Sequence, residues 1–293
     1  QLRDVAIERP RSVISWNTSP DLGFDRAVNP YRGCEHGCIY CYARPTHSYL
    51  GLSPGLDFET RLVARPDAPQ VLARELGRKG YRVAPLALGS NTDPWQPVEA
   101  QHRITRALLE VLHDCRHPVT ITTRGALIAR DADILAEMAE HNLVEVGISI
   151  TTLDADLARA MEPRAPSPAR RLQTIATLHA AGVPVRLMLA PVIPGLTDHE
   201  IESILKAARD AGAQTAWWSL LRLPHEVHAL FEDWLSRHRP NHAARVMRQL
   251  CEMRGGRAND PRFGSRFRGS GPMAALLSRR FKLARLRLGY DTG

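Results

Sequence analysis

Short apolar segments recur along the middle of the chain and alternate with stretches of helical periodicity. Glycine, proline or another turn-forming residue bounds each segment, as is typical of buried strands. The predicted strands lie near residues 27–33, 84–89, 118–123, 143–151, 184–191 and 215–221. Six strands that alternate with helices predict a parallel sheet covered by helices.

Three of the intervening stretches carry signals for the ends of helices. The helix over 97–113 is predicted to have Pro97 in its first turn, and the helix over 168–181 to start after Ser167. The helix over 198–211 opens with Thr197 and Glu200, which have the spacing of a capping box.

The alternation is confined to residues 27–239 and divides the chain into three predicted regions. Residues 1–26 show weak periodicity and form a predicted N-terminal extension, which packs on the domain or stays apart from it. Residues 240–293 form a predicted basic, Arg-rich helical extension. Within it, the segment from Met273 to Leu288 predicts an amphipathic helix. Its expected apolar contacts are Leu276, Leu277, Phe281, Leu283 and Leu286, and its expected exposed cations are Arg279, Arg280, Arg285 and Arg287.

The composition is that of a folded protein without a membrane span. The 293 residues are 44% hydrophobic, which is enough for a sizeable core, and no run approaches the ~18 apolar residues that a transmembrane helix needs. No signal segment opens the chain, although Gln1 is an unusual first residue. Five cysteines are too few for a disulfide framework in a chain of this length, so we expect a reducing, cytoplasmic location.

The net charge of +8 is concentrated at the C-terminal end. Residues 254–293 contain nine arginines and one lysine against two aspartates, so the rest of the chain is close to neutral. Such a segment either binds a polyanion, most commonly nucleic acid, or is a solvated basic tail. Arginines alternate with aromatic rings in it, a pattern that suits phosphates and stacked bases. The predicted nucleic-acid-binding residues are Arg262, Phe263, Arg266, Phe267 and Arg268.

Three of the five cysteines, Cys34, Cys38 and Cys41, lie within eight residues at the spacing C-x3-C-x2-C. Three thiolates so close in sequence can surround one soft metal centre, and iron–sulfur clusters are held by cysteine thiolates. With only three local ligands, one iron of a four-iron cluster has no protein ligand, and open coordination positions are where metal sites do chemistry. Gly33 and Gly37 let the backbone approach such a cluster closely.

Two other interpretations of the cysteines stay open. A zinc site would need a fourth ligand, which His36 or His47 could supply, but zinc ligands usually occur as two separated pairs. Three core cysteines without a metal would be unusual at this spacing. The cluster is the preferred interpretation.

The sequence around the cysteines resembles that of the radical S-adenosylmethionine (AdoMet) superfamily. It is NPYRGCEHGCIYCYARPTH, followed by GLDFE. Within this superfamily the chain is most similar to the branch related to spore photoproduct lyase, in an uncharacterised bacterial group. The resemblance covers about residues 27–215 and, more loosely, the Arg-rich end. It implies a partial (β/α)6 TIM-type barrel with a [4Fe–4S] cluster on the three cysteines and AdoMet on the open iron. It also implies reductive cleavage of AdoMet to a 5′-deoxyadenosyl radical, with electrons from a flavodoxin- or ferredoxin-type donor.

The resemblance implies an AdoMet pocket at the carboxyl ends of the strands, where barrels of this type carry their sites. Tyr40 matches the aromatic residue beside the adenine, and Ala190 matches a turn near the same ring. Ser149 resembles a contact to the ribose or the carboxylate. Glu162 and Arg164, after the fourth strand, either form a structural ion pair or line the site.

The implied contacts to the amino-acid end of AdoMet follow the second and third strands. Thr92 and Asp93, with Ser90, match the contact to the amino group. Arg124 matches a basic residue that meets the carboxylate, for which a guanidinium is well shaped.

One departure from the lyase concerns the hydrogen-atom donor. The lyase has a cysteine in the loop after the second strand, and the matching position here is Asn91, which cannot donate a hydrogen atom in that way. The remaining cysteines, Cys115 and Cys251, are the candidate donors in this chain, although a lone cysteine is more often a small core residue. Two spare cysteines also cannot hold a second cluster.

Three functions follow from these observations. The first is a radical AdoMet enzyme that acts on nucleic acid, in repair or base modification, as a lyase or a transferase. The second is a radical AdoMet enzyme for a peptide or a small metabolite, and the third is a non-catalytic iron–sulfur protein that binds nucleic acid. We expect a monomer with no membrane partner.

Overall fold

Strands and helices alternate through most of the molecule, for which a computed structural model describes residues 3–291. The strands are β1 (Asp4–Ile7), β2 (Ser15–Trp16), β3 (Arg26–Val28), β4 (Tyr31–Arg32), β5 (Arg61–Ala64), β6 (Leu86–Leu88), β7 (Val119–Thr123), β8 (Val144–Ser149), β9 (Val185–Val192) and β10 (Thr215–Leu220). The helices are α1 (Asp57–Thr60), α2 (Ala68–Leu76), α3 (Glu99–His102), α4 (Ile104–Asp114), α5 (Ala132–Glu140), α6 (Ala155–Met161), α7 (Pro168–Ala180), α8 (Ile201–Asp210), α9 (Val227–His238), α10 (Pro240–Glu252) and α11 (Gly271–Arg287).

Six parallel strands form the main sheet. β3, β6, β7, β8, β9 and β10 lie side by side in chain order, and β2 adds an antiparallel edge strand beside β3. Every strand that the sequence predicts is therefore present, and the mixed α/β fold with a mostly parallel sheet is confirmed. The carboxyl ends of the six strands lie at one edge, so the loops that follow them lie near one another.

A second, three-stranded sheet was not predicted. β5 pairs with β1 in parallel and with β4 antiparallel. β4 directly precedes the cysteine segment, so this sheet holds the start of that segment in place. Strands of two to four residues give too short a pattern to recognise from sequence.

The N-terminal region belongs to both sheets, through β1 and β2. Val13 and Ile14 are buried in the core between these strands. The boundaries at residues 26 and 239 stay predictions, but strand pairing runs across the first. Gln1 lies outside the described residues.

The predicted helix over 97–113 is divided into α3 and α4. Arg103, between them, has a left-handed backbone with φ 52°. The buried carboxylate of Glu99 accepts hydrogen bonds from the backbone amides of Thr105 and Arg106, at 3.0 and 3.3 Å. Glu99 thus satisfies free amides at the start of α4, which an apolar periodicity cannot reveal.

The two predicted helix starts have different outcomes. Ser167 caps α7 as expected, since its hydroxyl accepts a hydrogen bond from the amide of Arg170. The prediction of a capping box at Thr197 and Glu200 is wrong. Thr197 accepts from the amide of Ile193, and Glu200 accepts from the loop after β8, so both side chains stabilise loops at the carboxyl edge.

α11 covers the predicted C-terminal helix, but only part of its apolar face is buried. Leu277 and Phe281 pack in the core, whereas the other three expected contacts are exposed: Leu276, Leu283 and Leu286. Arg280, predicted to be exposed, pairs with Glu202 at 2.6 Å. No helix within residues 3–291 is long and apolar enough to cross a membrane.

The segment between α10 and α11 is fixed to the end of β10. The amide of Leu220 donates to the carbonyl of Phe267 at 2.8 Å, and the buried guanidinium of Arg254 donates to the carbonyl of Leu220 at 3.0 Å. Arg266 forms an ion pair at 2.5 Å with Asp21, which lies between β2 and β3. This pair therefore joins a segment beside β3, near one edge of the sheet, to a segment that follows β10, at the other edge.

Candidate functional site

The three clustered cysteines lie in one tight loop that follows β4. Cys34 and Cys38 are buried and Cys41 is half-buried. The loop contains two consecutive turns, in which the amide of Gly37 donates to the Cys34 carbonyl and that of Cys41 to the Cys38 carbonyl. The amide of Cys34 donates to the carbonyl of Phe58 at 2.9 Å, which fixes the loop to α1.

Two glycines allow the loop to pack this closely. Gly33 and Gly37 have left-handed backbones, with φ of 76° and 69°. A Cβ atom on Gly33 would lie 2.8 Å from the carbonyl oxygen of Phe58, and one on Gly37 would lie 2.7 Å from a carboxylate oxygen of Glu59. A side chain at Gly33 would therefore displace the loop or α1, and one at Gly37 would strain the left-handed backbone and push aside the side chains of Glu59 and Arg164.

Two arginines brace the outer side of the loop. Arg44 is fully buried, donates to the carbonyl of Cys38 at 2.9 Å and pairs with Glu59 at 2.5 Å. Arg164 pairs with the same carboxylate and donates to the carbonyl of Glu35. Arg164 thus forms a structural ion pair, with Glu59 rather than with Glu162, and the same side chain lies against the cysteine loop.

The thiols lie where their ionised forms are costly. Burial raises the pKa of Cys34 well above its usual value, and the charges of Asp93, Cys38 and Cys41 raise it further. Burial raises the pKa of Cys38 to about 12, against the opposing charge of Arg124. Metal binding requires the thiolate form, so a bound metal would have to displace these protons. Three adjacent thiols of this kind fit an iron–sulfur cluster.

Neither candidate histidine completes a zinc site. Nε2 of His47 lies 2.9 Å from the carbonyl of Arg61, and its ring meets the edge of Phe58. Nδ1 of His36 faces the carboxylate of Asp93 at 3.4 Å. Across residues 3–291, no three histidine, cysteine or acidic side chains converge on a point as a single metal ion requires.

Asp93 joins three loops at the carboxyl edge. It accepts hydrogen bonds from the hydroxyl of Thr123 at 2.6 Å, the amide of Arg124 at 2.8 Å and the amide of Trp95 at 2.9 Å. Burial would raise the pKa of Asp93, but His36 and these hydrogen bonds hold it well below its usual range. The carboxylate thus already has partners within the protein, and its contact with AdoMet stays a prediction.

Asn29 positions the loop after β6, a role that sequence reasoning missed. Its side-chain oxygen accepts from the amides of Asn91 and Thr92, and its amide group donates to the hydroxyl of Ser90 at 3.2 Å. Thr92 is buried and donates to the carbonyl of Tyr31. The only available signal was that Asn29 precedes a proline within the first predicted strand, which in the structure ends at Val28.

Arg124 lies directly against the cysteine loop. Its Nη1 is 3.0 Å from Sγ of Cys38, 2.9 Å from the hydroxyl of Tyr40 and 3.0 Å from a carboxylate oxygen of Glu162. The structure thus places two predicted AdoMet contacts, Arg124 and Tyr40, beside a predicted cluster ligand. It also places Glu162 in the site, paired with Arg124 rather than with Arg164.

Glu162 is the centre of a buried polar network. Its carboxylate contacts the guanidinium of Arg171, the hydroxyl of Tyr40 and the hydroxyl of Thr151. Burial raises the pKa of Glu162, but Arg171 and Arg124 outweigh it and hold it at about 2. Thr151 and Arg171 were not predicted, and nothing in the sequence distinguishes Arg171, which is buried, from the exposed Arg170 next to it.

Ser149 ends β8, and Ala190 lies two residues before the end of the neighbouring β9, beside this network. The carbonyl of Ser149 accepts from Arg171 at 3.1 Å, and the carbonyl of Ala190 accepts from Thr151 at 3.3 Å. The bond from Ala190 to Pro191 is cis. Both residues therefore lie near Tyr40, as an adenosine pocket requires, and their contacts with AdoMet stay predictions.

The two candidate hydrogen-atom donors belong to other segments than the cysteine loop. Cys115 is exposed at the end of α4, four residues before β7 begins, and so lies at the amino edge of the sheet. Cys251 lies in the last turn of α10, where burial and Glu232 raise its pKa. Cys115 is at the wrong edge of the sheet for such a donor.

The predicted nucleic-acid-binding residues are less free than the sequence suggests. Arg266 pairs with Asp21, and Arg262 pairs with Asp260 at 2.8 Å. The guanidinium of Arg268 lies 4.7 Å from the ring of Trp218, and burial lowers its pKa to about 10. Phe267 meets Trp217 edge-on, whereas the ring of Phe263 is 58% exposed. Part of the basic segment is therefore structural.

Comparisons with known proteins agree with the geometry. Residues 28–208 match the Radical SAM superfamily, SAM being AdoMet. An uncharacterised protein of Mycobacterium tuberculosis is 38% identical over 226 residues, which are 76% of this chain and 66% of that protein. An uncharacterised protein of Methanocaldococcus jannaschii is 26% identical over 178 residues, 61% of this chain and 64% of that protein. The chain thus aligns with slightly less than two thirds of these relatives' length.

Solved structures share the fold. Spore photoproduct lyase complexed with dinucleoside spore photoproduct superposes with a TM-score of 0.70 at 12% identity, over 98% of this chain and 80% of the lyase. A double mutant of the lyase with bound AdoMet and the same dinucleoside gives a TM-score of 0.58 at 14% identity, over 80% and 66%. At these identities the likeness shows the fold alone.

Proposed function

Because the chain belongs to the Radical SAM superfamily, whose cofactors are a [4Fe–4S] cluster and AdoMet, we propose that it is an enzyme that cleaves AdoMet reductively. The observation that carries the proposal is the loop of Cys34, Cys38 and Cys41 at the carboxyl edge of the sheet, where Arg124 donates a hydrogen bond to the sulfur of Cys38. When bound, these cofactors supply a 5′-deoxyadenosyl radical that abstracts hydrogen from the substrate.

The protein's own contribution is to position the cofactors. Arg124 offers a guanidinium beside the cluster for the AdoMet carboxylate, and Glu162 fixes the orientation of that guanidinium. Tyr40 is held by the same carboxylate, which places its ring for the adenine. Ser90, Thr92, Asp93, Ser149 and Ala190 complete the proposed pocket.

The proposed architecture is a partial (β/α)6 barrel closed by a C-terminal extension. Six parallel strands in chain order support the barrel. The ion pair between Asp21, near β3, and Arg266, after β10, supports a curved sheet whose two edge strands approach each other. We further propose a cytoplasmic monomer that receives electrons from a flavodoxin- or ferredoxin-type protein.

Nucleic acid is the proposed substrate. The basic segment after residue 254 supports it, as does a fold shared with a lyase that has been solved with a dinucleoside lesion. A peptide or small metabolite is the second candidate, favoured by the pairing of Arg266 and the burial of Arg268 within the protein. A non-catalytic role for the cluster would require that AdoMet is not cleaved.

Deuterium transfer tests the proposed function. The anaerobically reconstituted protein is reduced with AdoMet and perdeuterated oligonucleotides, and 5′-deoxyadenosine is analysed by mass spectrometry. We expect deuterium in the product, because the radical abstracts hydrogen from its substrate. Cleavage without deuterium transfer would favour the second candidate, and absence of cleavage would favour the non-catalytic role.

Replacement of Arg124 by methionine should weaken AdoMet binding about ten- to a hundredfold, because a hydrogen bond to a charged group contributes ~1.5–3 kcal/mol. It should also lower the reduction potential of the cluster, since a hydrogen bond to the sulfur of Cys38 stabilises the reduced form. Equilibrium binding of AdoMet and a redox titration followed by electron paramagnetic resonance measure the two effects.

The matched control is Arg82→Met, at an exposed arginine before β6 on the opposite edge of the sheet. It should change neither quantity. If Arg124→Met lowers the potential but leaves AdoMet affinity unchanged, Arg124 acts on the cluster and its match to the carboxylate contact is wrong.

A further inference from the structure

Arg222 lies between two aromatic rings at the carboxyl edge of the sheet. It follows β10 by two residues and is half-buried. Its guanidinium carbon is 5.1 Å from the ring centre of Tyr42 and 5.3 Å from that of Phe267. Tyr42 directly follows Cys41, so this guanidinium lies beside the cysteine loop.

Arg222 lacks an acceptor within the part of the chain that the structure describes. No carboxylate of residues 3–291 pairs with it and no oxygen there accepts a hydrogen bond from it, whereas Arg254 and Arg266 nearby have acceptors. Asp21 is close enough to influence Arg222, but both of its oxygens already accept from Arg266. Burial lowers the pKa of Arg222, with Tyr42 opposing. None of its nitrogens is both buried and without a partner, so the five N–H donors of this guanidinium are open to solvent and to a ligand.

The surroundings of this guanidinium favour a phosphate over a carboxylate. Rings and guanidinium groups alternate from Tyr42, next to Cys41, since Arg266 lies 4.8 Å from the ring of Phe267 and 4.9 Å from that of Phe263. Tyr42 is 47% exposed, although its hydroxyl donates to the carbonyl of Ser90, and Phe263 is 58% exposed. Because Asp21 neutralises Arg266, Arg222 supplies the free positive charge among these aromatic residues, and a cation beside aromatic residues suits a strand that alternates phosphates with bases. The planar guanidinium can also bind a phosphate through two parallel hydrogen bonds.

We propose that Arg222, held between Tyr42 and Phe267, binds a backbone phosphate of a single-stranded segment of the substrate beside the cluster. This inference rests on the proposed nucleic-acid substrate. The exposed rings of Tyr42 and Phe263 stack on the neighbouring bases. A base so held is unstacked from its own strand, which is the condition for chemistry on a base.

The test compares Arg222→Gln with Arg82→Gln, which makes the same change of charge at an exposed site on the opposite edge. Both proteins are reconstituted anaerobically with cluster and AdoMet, and retention of the iron–sulfur absorption shows that they fold. Fluorescence anisotropy then measures the affinity for a single-stranded oligonucleotide over a range of salt concentrations. Arg222→Gln should bind about tenfold more weakly, with a log–log salt slope reduced by about 0.7, the value for one phosphate of a single strand. Arg82→Gln should match the wild type.

Two further comparisons identify the bound group. A set of oligonucleotides carries one uncharged methylphosphonate linkage, each at a different position. At one of these positions the linkage should weaken binding to the wild type about tenfold. At that same position it should not weaken binding to Arg222→Gln any further, because the variant has already lost the contact. Arg222→Lys should keep the salt slope but lose part of the affinity, because an ammonium group lacks the planar fork.

The possible failures are distinct. If the wild type shows no salt-dependent binding of oligonucleotides, the proposed substrate is wrong and this subsite falls with it. If the wild type binds but Arg222→Gln and Arg82→Gln behave alike, the subsite alone is wrong. If Arg222→Gln weakens binding of an acidic peptide but not of the oligonucleotide, the site binds a carboxylate and the phosphate assignment is overturned.

Discussion

Replacement of any one of Cys34, Cys38 and Cys41 by alanine should abolish the iron–sulfur absorption near ~400 nm after anaerobic reconstitution, because cysteine thiolates hold the irons. The three thiols belong to one loop, and two of them are buried. No other cysteine of the described chain lies in that loop to replace a lost ligand. Absorption spectra and iron analysis measure the result.

The controls are Cys115→Ala and Cys251→Ala, at positions outside the loop. Both variants should bind the same amount of iron as the wild type. Four irons bound by a variant that lacks all three loop cysteines would refute the cluster assignment.

Glu162→Gln should destabilise the fold by about 3–5 kcal/mol, the range for breaking a buried ion pair by removing one partner. The change leaves the guanidinium groups of Arg171 and Arg124 without their shared carboxylate. Urea unfolding of the cluster-free protein measures the loss. Glu202→Gln is the control, since its pair with Arg280 is near the surface and should contribute only about 0–1 kcal/mol. A loss no larger than in this control would contradict the buried network.

The same carboxylate should make stability depend on pH. The pKa of Glu162 is held at about 2 in the folded state, below the ordinary value of 4.5. Its stabilising contribution is therefore complete above pH 4.5 and is lost as the pH falls from there toward 2. The difference in unfolding free energy between the wild type and Glu162→Gln should shrink over that range. A difference that stays constant down to pH 3 would show that Glu162 is not held ionised by its arginines.

The basic segment shows how charge counted along a chain can mislead. Arg266 and Arg268 were predicted to face nucleic acid, yet one pairs with Asp21, 245 residues away in sequence, and the other lies against two tryptophans. Arg222 was not singled out, because it is a lone arginine after an apolar strand. Only the folded chain shows that Arg222 lies between Tyr42 and Phe267 beside the cysteine loop.

The sequence by itself determined the six strands of the parallel sheet and the family, and it located the three clustered cysteines. Strands are specified by local apolar runs, and the cysteine spacing is local too, so neither needs contacts between distant residues. The helix start at Ser167 was equally local and was confirmed.

Tertiary structure alone decided which polar groups meet. Glu99 accepts a hydrogen bond from an amide at the start of α4, and Glu200 accepts one from an amide of the loop after β8. Asn29 positions the loop after β6, and Glu162 joins Arg124 to Arg171. Buried polar groups must find partners wherever the fold brings acceptors and donors together, and those partners here are far apart in sequence. Periodicity records which face of an element is buried, but it carries no information on which distant side chain lies opposite.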